Sequence, residues 1–295
     1  MAPPAKRGVL RVVGTPIGNL GDLSPRAVAA LREADAIFCE DTRITARLAS
    51  RFNLSAPRIS CPAPREHSRV AELLRRLEAG QTVALVSDAG MPLVSDPGEQ
   101  LVAAAAAAGY PVRVVPGPSA PAAALAVSGL PAVPHVFLGF LPARAGERRR
   151  FLEGIKDRAE TLVWFEAPHR LAGSLEDAAR ALGSRRACVA RELTKLHEEA
   201  ARGTLPELAA EFRSRGEGRG EATVVVEGRE AAAPAADSES LDRRIEAALE
   251  AGRDKRAVAR ELARSTGLPS REIYARAVAL SDRKAARAGK DAGSR

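Results

Sequence analysis

Short runs of β-branched residues alternate with amphipathic helical stretches through the first half of the chain, and this alternation restricts the fold more than any other feature. The runs predicted as strands are Val9–Val13, Ala36–Cys39, Thr82–Val86 and Val112–Val115. Helical patterns lie near 42–52, 69–79, 98–108 and 119–128, and a further one begins with the N-cap pair Ser24-Pro25. Strands that alternate with helices predict an α/β fold with a mostly parallel sheet covered by helices.

The second half of the chain resumes this alternation after a break. A last strand of the first unit is predicted at 137–140, and the basic segment 141–150, LPARAGERRR, is predicted to be a linker because its apolar pattern stops. Strands at 161–165, 187–190 and 222–227 and helices at 170–182 and 206–214 form the second unit. The expected domains are an N-terminal α/β lobe at 1–141 and a C-terminal α/β lobe at 142–229.

The end of the chain differs in composition from both lobes. Residues 230–240 are rich in Ala, Pro and Ser and are expected to form a flexible linker. Residues 241–295 contain helical patterns at 241–251, 255–265 and 270–280, with a tight turn at Gly267, Leu268 and Pro269, and are predicted to be a helix-turn-helix-like domain. This domain holds +6 of the net charge of +8, which favours a polyanionic partner.

Composition and residue spacing argue against several classes of protein. No stretch approaches the roughly 18 apolar residues of a membrane helix, and residues 1–7 lead into no signal-peptide core, so a cytoplasmic protein without membrane contact is expected. Cys39, Cys61 and Cys188 are too widely spaced for a disulfide framework, and the four His show no zinc spacing, so no metal is expected. Aromatic residues make up 3% of the chain, which disfavours a broad stacking surface of the RRM or OB type.

The chemistry is expected in the loops that follow the first-half strands, because open α/β sheets bind ligands at the carboxyl ends of their strands. The first loop, GTPIGNLGD at 14–22, matches neither the GxGxxG fingerprint nor a P-loop, which argues against a nicotinamide enzyme or a nucleotide triphosphatase. The third, SDAGMPLVSDPG at 87–98, contains two Pro that fix its backbone and is predicted to form a pocket floor. The fourth, PGPSA at 116–120, opens a helix of small residues that a ligand could approach closely. The sequence contains no GxSxG motif, which argues against a serine hydrolase of the α/β-hydrolase type.

Nine sequence blocks together resemble the RsmI family, the bacterial 16S ribosomal RNA ribose 2'-O-methyltransferases of the tetrapyrrole-methylase superfamily. The blocks are GTPIGNLGDLSPRA (14–27), CEDTR (39–43), LVSDAGMPLVSDPG (85–98), VPGPSA (115–120), SGLP (128–131), GFLP (139–142), EAPHR (166–170), ARELTKLHEE (190–199) and GEATVVVEG (220–228). Their order, number and spacing make the resemblance specific over roughly residues 8–228, and the C-terminal helices resemble the family's small extra domain. The chain departs from the family at Met91, where Thr is usual, and at 61–66, where a His/Asn-containing stretch is usual.

The resemblance implies a two-lobed tetrapyrrole-methylase-like fold that works as a homodimer, each lobe an open sheet flanked by helices, with a small C-terminal helical domain. S-adenosylmethionine would bind folded in the cleft between the lobes. On the matching positions, the residues implied to bind it are Pro16, Asp88, Ala89, Gly90, Met91, Pro92, Leu93, Ser119, Ala120, Arg191, Glu192, Leu193, Ala222 and Thr223.

A ribose hydroxyl is a poor nucleophile at neutral pH, so a nearby base, or a cation that stabilises a developing oxyanion, would help the transfer. The loops place Asp22 near the cleft mouth together with the preferred catalytic candidates, which are Glu40, Asp41, Arg43, Glu166 and Lys195. The 40–43 block ranks first, because two carboxylates and a guanidinium after an apolar strand cost stability unless they are paired or used. The residues predicted to contact RNA phosphates, besides the basic C-terminal domain, are Arg43, Arg47, Arg144, Arg148, Arg149, Arg150, His169 and Arg170.

The expected function is therefore S-adenosylmethionine-dependent 2'-O-methylation of a cytidine in 16S rRNA, cytidine 1402 of the decoding region, with the small ribosomal subunit as partner. Both the reaction and the nucleotide are implied by the family resemblance. Two alternatives remain open at this point. One is a tetrapyrrole (precorrin) C-methylase of the same fold, and the other is a non-catalytic RNA-binding accessory protein with a degenerate cleft.

Overall fold

The computed structural model describes residues 8–216, 220–229, 238–266 and 268–292, and for 238–240 and 282–292 it describes the backbone only. The chain divides into two compact units, Met1–Gly228 and Arg229–Arg295. Each unit has its own buried apolar residues. The fold class predicted from the sequence, α/β with two sheets flanked by helices, is confirmed.

The first sheet is parallel and has helices on both faces. Its strands are β1 (Val9–Val13), β2 (Ala36–Cys39), β3 (Arg58–Ser60), β4 (Thr82–Val86) and β5 (Val112–Val115), in the order β3-β2-β4-β1-β5. Helices α1 (Pro25–Arg32) and α2 (Thr42–Phe52) pack on one face. Helices α3 (Glu66–Glu78) and α4 (Glu99–Ala107) pack on the other. Burial on both faces explains why the central strands read as continuous apolar runs.

The second sheet is mixed. Its strands are β6 (His135–Phe140), β7 (Thr161–Glu166), β8 (Arg186–Arg191), β9 (Glu199–Thr204) and β10 (Ala222–Val226), in the order β6-β7-β10-β8-β9. β6 and β7 are parallel, and the other neighbouring strands are antiparallel. Helices α6 (Ala145–Gly154), α7 (Leu171–Leu182) and α8 (Leu205–Arg215) cover one face, and α5 (Ala120–Ser128) covers the other. The small residues of α5 let this helix lie close to the sheet.

Two expectations at the junction of the lobes differ from the structure. The strand predicted at 137–140 as the end of the first lobe pairs with β7 in the second sheet, and α5 also packs on that sheet. The segment 141–150 is not a linker, because α6 begins at Ala145 and buries Arg148 in an ion pair with Asp177. Basic composition suggested a solvated segment, whereas one of its arginines neutralises a buried carboxylate. The lobe boundary therefore does not fall at residue 141 as expected.

The segment 61–66, one of the two departures from the family pattern, has a structural role. Glu66 is buried, and its Oε1 accepts hydrogen bonds from the backbone N–H groups of Gln100 (2.5 Å) and Leu101 (3.2 Å). A carboxylate at this position satisfies amides that the first turn of α4 leaves without helical partners. Glu66 therefore anchors α4, the helix that follows the loop after β4.

The second unit contains three helices, α9 (Ser238–Glu250), α10 (Lys255–Thr266) and α11 (Ser270–Ala292). Their shared apolar cluster includes Leu241, Ile245, Val258 and Ile273. The three predicted helical patterns are confirmed, and the last helix continues well beyond 280. The linker was predicted at 230–240, but α9 begins at Ser238, so its last three residues are helical. The rest of that linker, 230–237, and Gly267 of the predicted turn lie outside the described residues. Of the helices in the described ranges, none is both long and apolar enough to cross a bilayer.

Candidate active site

Three loops at the carboxyl edge of the first sheet are tied to one another. The backbone N–H of Thr15 donates to the carbonyl of Gly90 (2.8 Å), and the N–H of Gly90 donates back to Thr15 (3.2 Å). A Cβ on Gly14 would lie 2.7 Å from the Cα of Gly117, so only glycine allows the first and fourth loops to approach this closely. The loops after β1, β4 and β5 therefore form one continuous floor.

The loop after β4 has an unusual backbone. Leu93 (φ 72°) and Ser95 (φ 68°) both occupy the left-handed region, which costs energy for residues other than glycine. The loop contacts the second sheet where the β6–β7 register shifts, because a Cβ on Gly139 would lie 3.2 Å from the Oγ of Ser95. The surrounding structure holds this loop in a costly conformation, as is common at functional sites.

The opposite wall comes from the loop between β8 and β9. Glu192 (φ 47°) and Thr194 (φ 67°) are again non-glycine residues in the left-handed region. The Nζ of Lys195 donates to Glu192 (3.1 Å) and lies 3.3 Å from a carboxylate oxygen of Glu221. The Lys195 stem passes over the first loop, where a Cβ on Gly18 would lie 2.6 Å from its Cε. Lys195 thus joins this wall to the floor.

A cavity of about 350 Å³ lies between the floor and this wall. Its volume is within the roughly 300–1,000 Å³ typical of small-molecule sites. The predicted cofactor residues that line it are Ala89, Gly90, Met91, Ser119, Ala120, Leu193, Ala222 and Thr223. The remaining predicted cofactor residues, which lie outside the lining, are Pro16, Asp88, Pro92, Leu93, Arg191 and Glu192. The lining also includes residues that the sequence did not single out, among them Ile17, Asp96, Phe140, Phe165 and Glu221.

The 40–43 block lies beside the cavity, and its polar groups are largely engaged with one another. Asp41 caps α2 by accepting from the N–H of Arg43 (2.8 Å), and it also pairs with the Arg43 guanidinium. These hydrogen bonds lower the pKa of Asp41 to about 2. Asp88 Oδ1 accepts from the N–H of Asp41 (3.0 Å), so Asp88 braces the block. Burial, with the charges of Asp88 and Asp41, raises the pKa of Glu40.

Two other catalytic candidates have structural partners. The side chain of Glu166 is 0% exposed, and one of its carboxylate oxygens lies 3.1 Å from the Nε of Arg170. Glu166 therefore borders the cavity, but its carboxylate is not accessible from it. Arg170 in turn donates to the carbonyl of Leu141 (2.8 Å). For Lys195, carboxylate hydrogen bonds outweigh burial and raise the pKa, so this side chain is a cation and not a base at neutral pH. Asp22 is exposed outside the cavity lining.

Asp96 is the carboxylate that the sequence analysis did not select. It is half-buried in the cavity lining, between Ser95 and Pro97. Burial and then the negative charges of Glu40, Asp88 and Glu221 raise the pKa of Asp96 to about 6, against the lowering effect of a hydrogen bond with Ser87. In the sequence, Asp96 is visible as the second Asp of the loop at 87–98, which follows β4. The burial that raises its pKa could not be judged from the sequence.

The predicted RNA-binding residues divide into exposed and engaged groups. The exposed ones are Arg43, Arg47, Arg144, Arg149, Arg150 and His169. Arg148 is buried and paired with Asp177 (2.6 Å), so the structure does not support its predicted contact with RNA. Arg170 is engaged by Glu166 and by backbone carbonyls. Phe140, 56% exposed, lies next to the exposed arginines of α6 in sequence and packs against Phe165, with ring centroids 5.4 Å apart.

Comparisons with known proteins support one family. The model of the Tetrapyrrole (Corrin/Porphyrin) Methylases matches residues 9–209. A protein named ribosomal RNA small subunit methyltransferase I from Synechocystis is 42% identical over 90% of this chain and 96% of its own length. The protein of that name from Mycobacterium tuberculosis is 44% identical over 90% of this chain and 93% of its own length. The one from Thermotoga maritima is 45% identical, and its whole length corresponds to 76% of this chain.

Solved structures show the same fold at low sequence identity. A diphthine synthase aligns with a TM-score of 0.59 and 16% identity over 75% of this chain and 90% of its own. The uroporphyrin-III C-methyl transferase from Thermus thermophilus, complexed with S-adenyl homocysteine, aligns with a TM-score of 0.53 and 21% identity. That alignment covers 74% of this chain and 96% of the Thermus protein.

Proposed function

The chain belongs to the ribosomal RNA small subunit methyltransferase I group of the tetrapyrrole methylase family, and on that premise we propose that it methylates the small-subunit ribosomal RNA with S-adenosylmethionine. The acceptor we propose is the ribose 2'-hydroxyl of a cytidine, cytidine 1402 in rRNA numbering. The observation that carries the proposal is the cavity between strained loops, lined in part by the residues implied to bind the cofactor.

The lining fits S-adenosylmethionine in shape and in charge. Ser119 precedes α5 but makes no capping hydrogen bond, so its hydroxyl and the first amides of the helix are available to a ligand. Ile17, Phe165 and Leu193 provide apolar walls. Asp96 and Glu221 border the same space, and their charges complement a cationic ligand. Ala89, Gly90, Ala120, Ala222 and Thr223 would complete the site.

When bound, the cofactor would supply an electrophilic methyl group on a positively charged sulfur. The residues of this chain would do the rest by holding the reacting atoms in line and excluding water, which is where most of the rate enhancement of such a displacement arises. The mutual hydrogen bonds of Thr15 and Gly90 keep the floor rigid. Lys195, fixed by two carboxylates, joins the β8–β9 loop to the floor and holds this edge of the site in place.

The surface beside the cavity suits an RNA strand. Arg144 is exposed at the N-cap of α6, which begins five residues after Phe140, and Arg149 and Arg150 are exposed in the middle of the helix. Guanidinium groups contact phosphates, and an exposed aromatic ring can stack on an unpaired base. The three-helix unit adds a net charge of +6 over 241–295. We assign to it phosphate contacts that increase affinity for the ribosomal subunit. The whole Thermotoga relative corresponds to only 76% of this chain and is too short to include such a unit as well, which favours an accessory role over a catalytic one.

We further propose that the reaction takes place in the cytoplasm and that two copies of the chain associate. Light scattering coupled to gel filtration checks the second point directly. A mass near twice 31.1 kDa is expected, and a mass near 31.1 kDa would refute the dimer.

The proposed function is tested by binding and by product analysis. Calorimetry on the purified protein should show uptake of S-adenosylmethionine and S-adenosylhomocysteine. Mass spectrometry of 16S rRNA from small subunits treated with protein and cofactor should then find one added methyl group on the ribose of cytidine 1402. A precorrin or uroporphyrinogen substrate serves as the negative control. Methylation of that substrate without modification of the subunit would overturn the proposal.

A further inference from the structure

We propose that Asp96 is the group that accepts the proton of the attacking ribose hydroxyl, an inference that rests on the proposed function. The sequence analysis preferred the 40–43 block, Glu166 and Lys195 for catalysis. The positions of those side chains argue against them as proton acceptors. A proton acceptor needs a side chain in the cavity lining and an oxygen that is not paired with a cation.

Asp96 lines the cavity from the loop after β4, which contacts the second sheet at Gly139. It follows Ser95, whose left-handed backbone is packed against Gly139 of β6, and it precedes Pro97, which restricts the chain on its other side. Such a segment holds its side chain with little freedom. The Asp96 carboxyl is close enough to Glu221, on the opposite wall, for their charges to interact.

The other two carboxylates in the cavity lining are each paired with a cation. Glu166 is sealed from solvent and paired with Arg170. Glu221 is paired with Lys195. Within the described part of the chain, Asp96 is the cavity-lining carboxylate that no Lys, Arg or His pairs with. A carboxylate that pairs with a cation loses basicity, so the absence of a cationic partner at Asp96, whose carboxyl is hydrogen-bonded with Ser87, suits a proton acceptor.

The charges that surround Asp96 are negative. Glu40 follows β2, Asp88 follows β4 and Glu221 precedes β10, and all three raise the pKa of Asp96. Of the cations near these groups, Arg43 pairs with Asp41, and Lys195 pairs with Glu192 and with Glu221 itself, so neither pairs with Asp96. With a pKa of about 6, Asp96 is more basic than an ordinary aspartate and is still mostly ionised at pH 7.

Atoms and electrons balance in the proposed step. A lone pair of the ribose oxygen forms the new C–O bond while the C–S bond breaks and its electron pair stays on sulfur. The hydroxyl proton goes to a carboxylate oxygen of Asp96, and the O–H bonding pair stays on the ribose oxygen. The products are the methyl ether, a neutral thioether and a protonated Asp96, which then releases its proton to solvent. No metal or redox partner is needed for this balance.

The central experiment compares Asp96→Asn with the matched control Glu99→Gln. Both remove one negative charge, but Glu99 is exposed at the start of α4 and does not line the cavity. In single-turnover methylation of small subunits, the Asn variant should lose roughly 10²- to 10⁴-fold in rate, the usual contribution of a general base. Because the sulfur of S-adenosylhomocysteine carries no positive charge for Asp96 to complement, the variant should still bind this product like the native protein. The control should keep the native rate, and Asp96→Glu should recover part of it.

Two pH measurements separate proton transfer from a structural role. The native single-turnover rate should fall about tenfold per pH unit below pH 6, as Asp96 becomes protonated, and this dependence should be absent in the residual activity of Asp96→Asn. Carbon NMR of the aspartate carboxyl groups should show one titration near pH 6 that disappears in the same variant. A native rate and native pH profile in Asp96→Asn would overturn the inference. Failure of the native protein to bind cofactor or modify the subunit would instead overturn the proposed function.

Discussion

At the scale of single residues, the candidate site depends on backbone positions that tolerate no alternative side chain. The Gly14–Gly117 contact closes the floor, and a Cβ on Gly117 would lie 2.8 Å from the Cα of Gly14. Neither backbone can move without disturbing the strands that precede it, β1 and β5, which are paired with each other. The spacing of these glycines in the sequence indicated turns, but the contact between them depends on the order of strands in the sheet.

Gly117→Ala should therefore damage the site more than its small size suggests. Overpacking of this kind costs about 1–3 kcal/mol of stability, and a shift of the floor should weaken cofactor binding by roughly tenfold or more. Urea unfolding and calorimetry with S-adenosylhomocysteine measure the two effects. Gly146→Ala is the control, because a Cβ there contacts nothing within 4 Å. Native affinity and stability in Gly117→Ala would show that the floor is flexible.

Phe140 allows a second prediction at this scale. The chain is poor in aromatic residues, yet the exposed Phe140 and the adjacent Phe165 both line the cavity. If Phe140 stacks on a base near the target, Phe140→Ala should weaken binding of the small subunit by about 1–3 kcal/mol, roughly 5- to 150-fold. Affinity for S-adenosylhomocysteine is measured in parallel because Phe140 also lines the cavity, and Phe140→Tyr should retain RNA binding. Equal RNA affinity in native protein and Phe140→Ala, measured by filter binding, would exclude stacking.

At the scale of elements, the sequence predicted the strands that an apolar run defines locally. It missed or misassigned the strands that are defined by pairing with a neighbouring strand. Central strands such as β2 and β4 are continuous apolar runs and were located correctly. β9 was missed because its sequence, EAARGT, has no apolar alternation and becomes a strand by pairing with β8. Likewise, β6 was located at 137–140, but its sheet was misassigned because nothing local specifies whether β5 or β7 is its neighbour.

The helix α6 shows the same limit and leads to a prediction about stability. Arg148 and Asp177, on α6 and α7, have side chains only 8% and 5% exposed and lie 2.6 Å apart. Removal of one partner leaves a buried charge, so Arg148→Ala should lower the free energy of unfolding by about 3–5 kcal/mol. Arg149→Ala removes a half-exposed arginine 3.7 Å from the same aspartate and should cost less than about 1 kcal/mol.

Urea denaturation of both variants checks this contrast. RNA binding should show the opposite order once stability is allowed for, because Arg149 is exposed for phosphate contact and Arg148 is not. Equal unfolding free energies for the two variants would mean that the Arg148 pair contributes no more than a surface pair. The basic run at 144–150 thus contains two kinds of arginine that composition alone cannot separate.

At the scale of the whole molecule, the roles that we propose divide between the two units of the chain, methyl transfer in the first and added RNA affinity in the second. The cavity and every group assigned to methyl transfer belong to the unit Met1–Gly228, and most of the net positive charge belongs to the other unit. The Thermotoga relative, equivalent to 76% of this chain, indicates that a protein of roughly the first unit's length can be a complete member of the family. The sequence analysis also placed a boundary after residue 229, because composition and charge are local properties, and the compact units divide next to that position.

Deletion of 229–295 should therefore leave a folded protein that binds S-adenosylhomocysteine with native affinity but binds the small ribosomal subunit more weakly. For every phosphate that the protein no longer neutralises, the slope of log affinity against log salt falls by somewhat less than one unit. Filter binding at several salt concentrations should give both weaker affinity and a shallower slope for the truncated protein. At saturating subunit, its single-turnover rate should equal that of the full chain. An unchanged slope would remove the phosphate role of the three-helix unit, and a lower saturated rate would place part of the chemistry there.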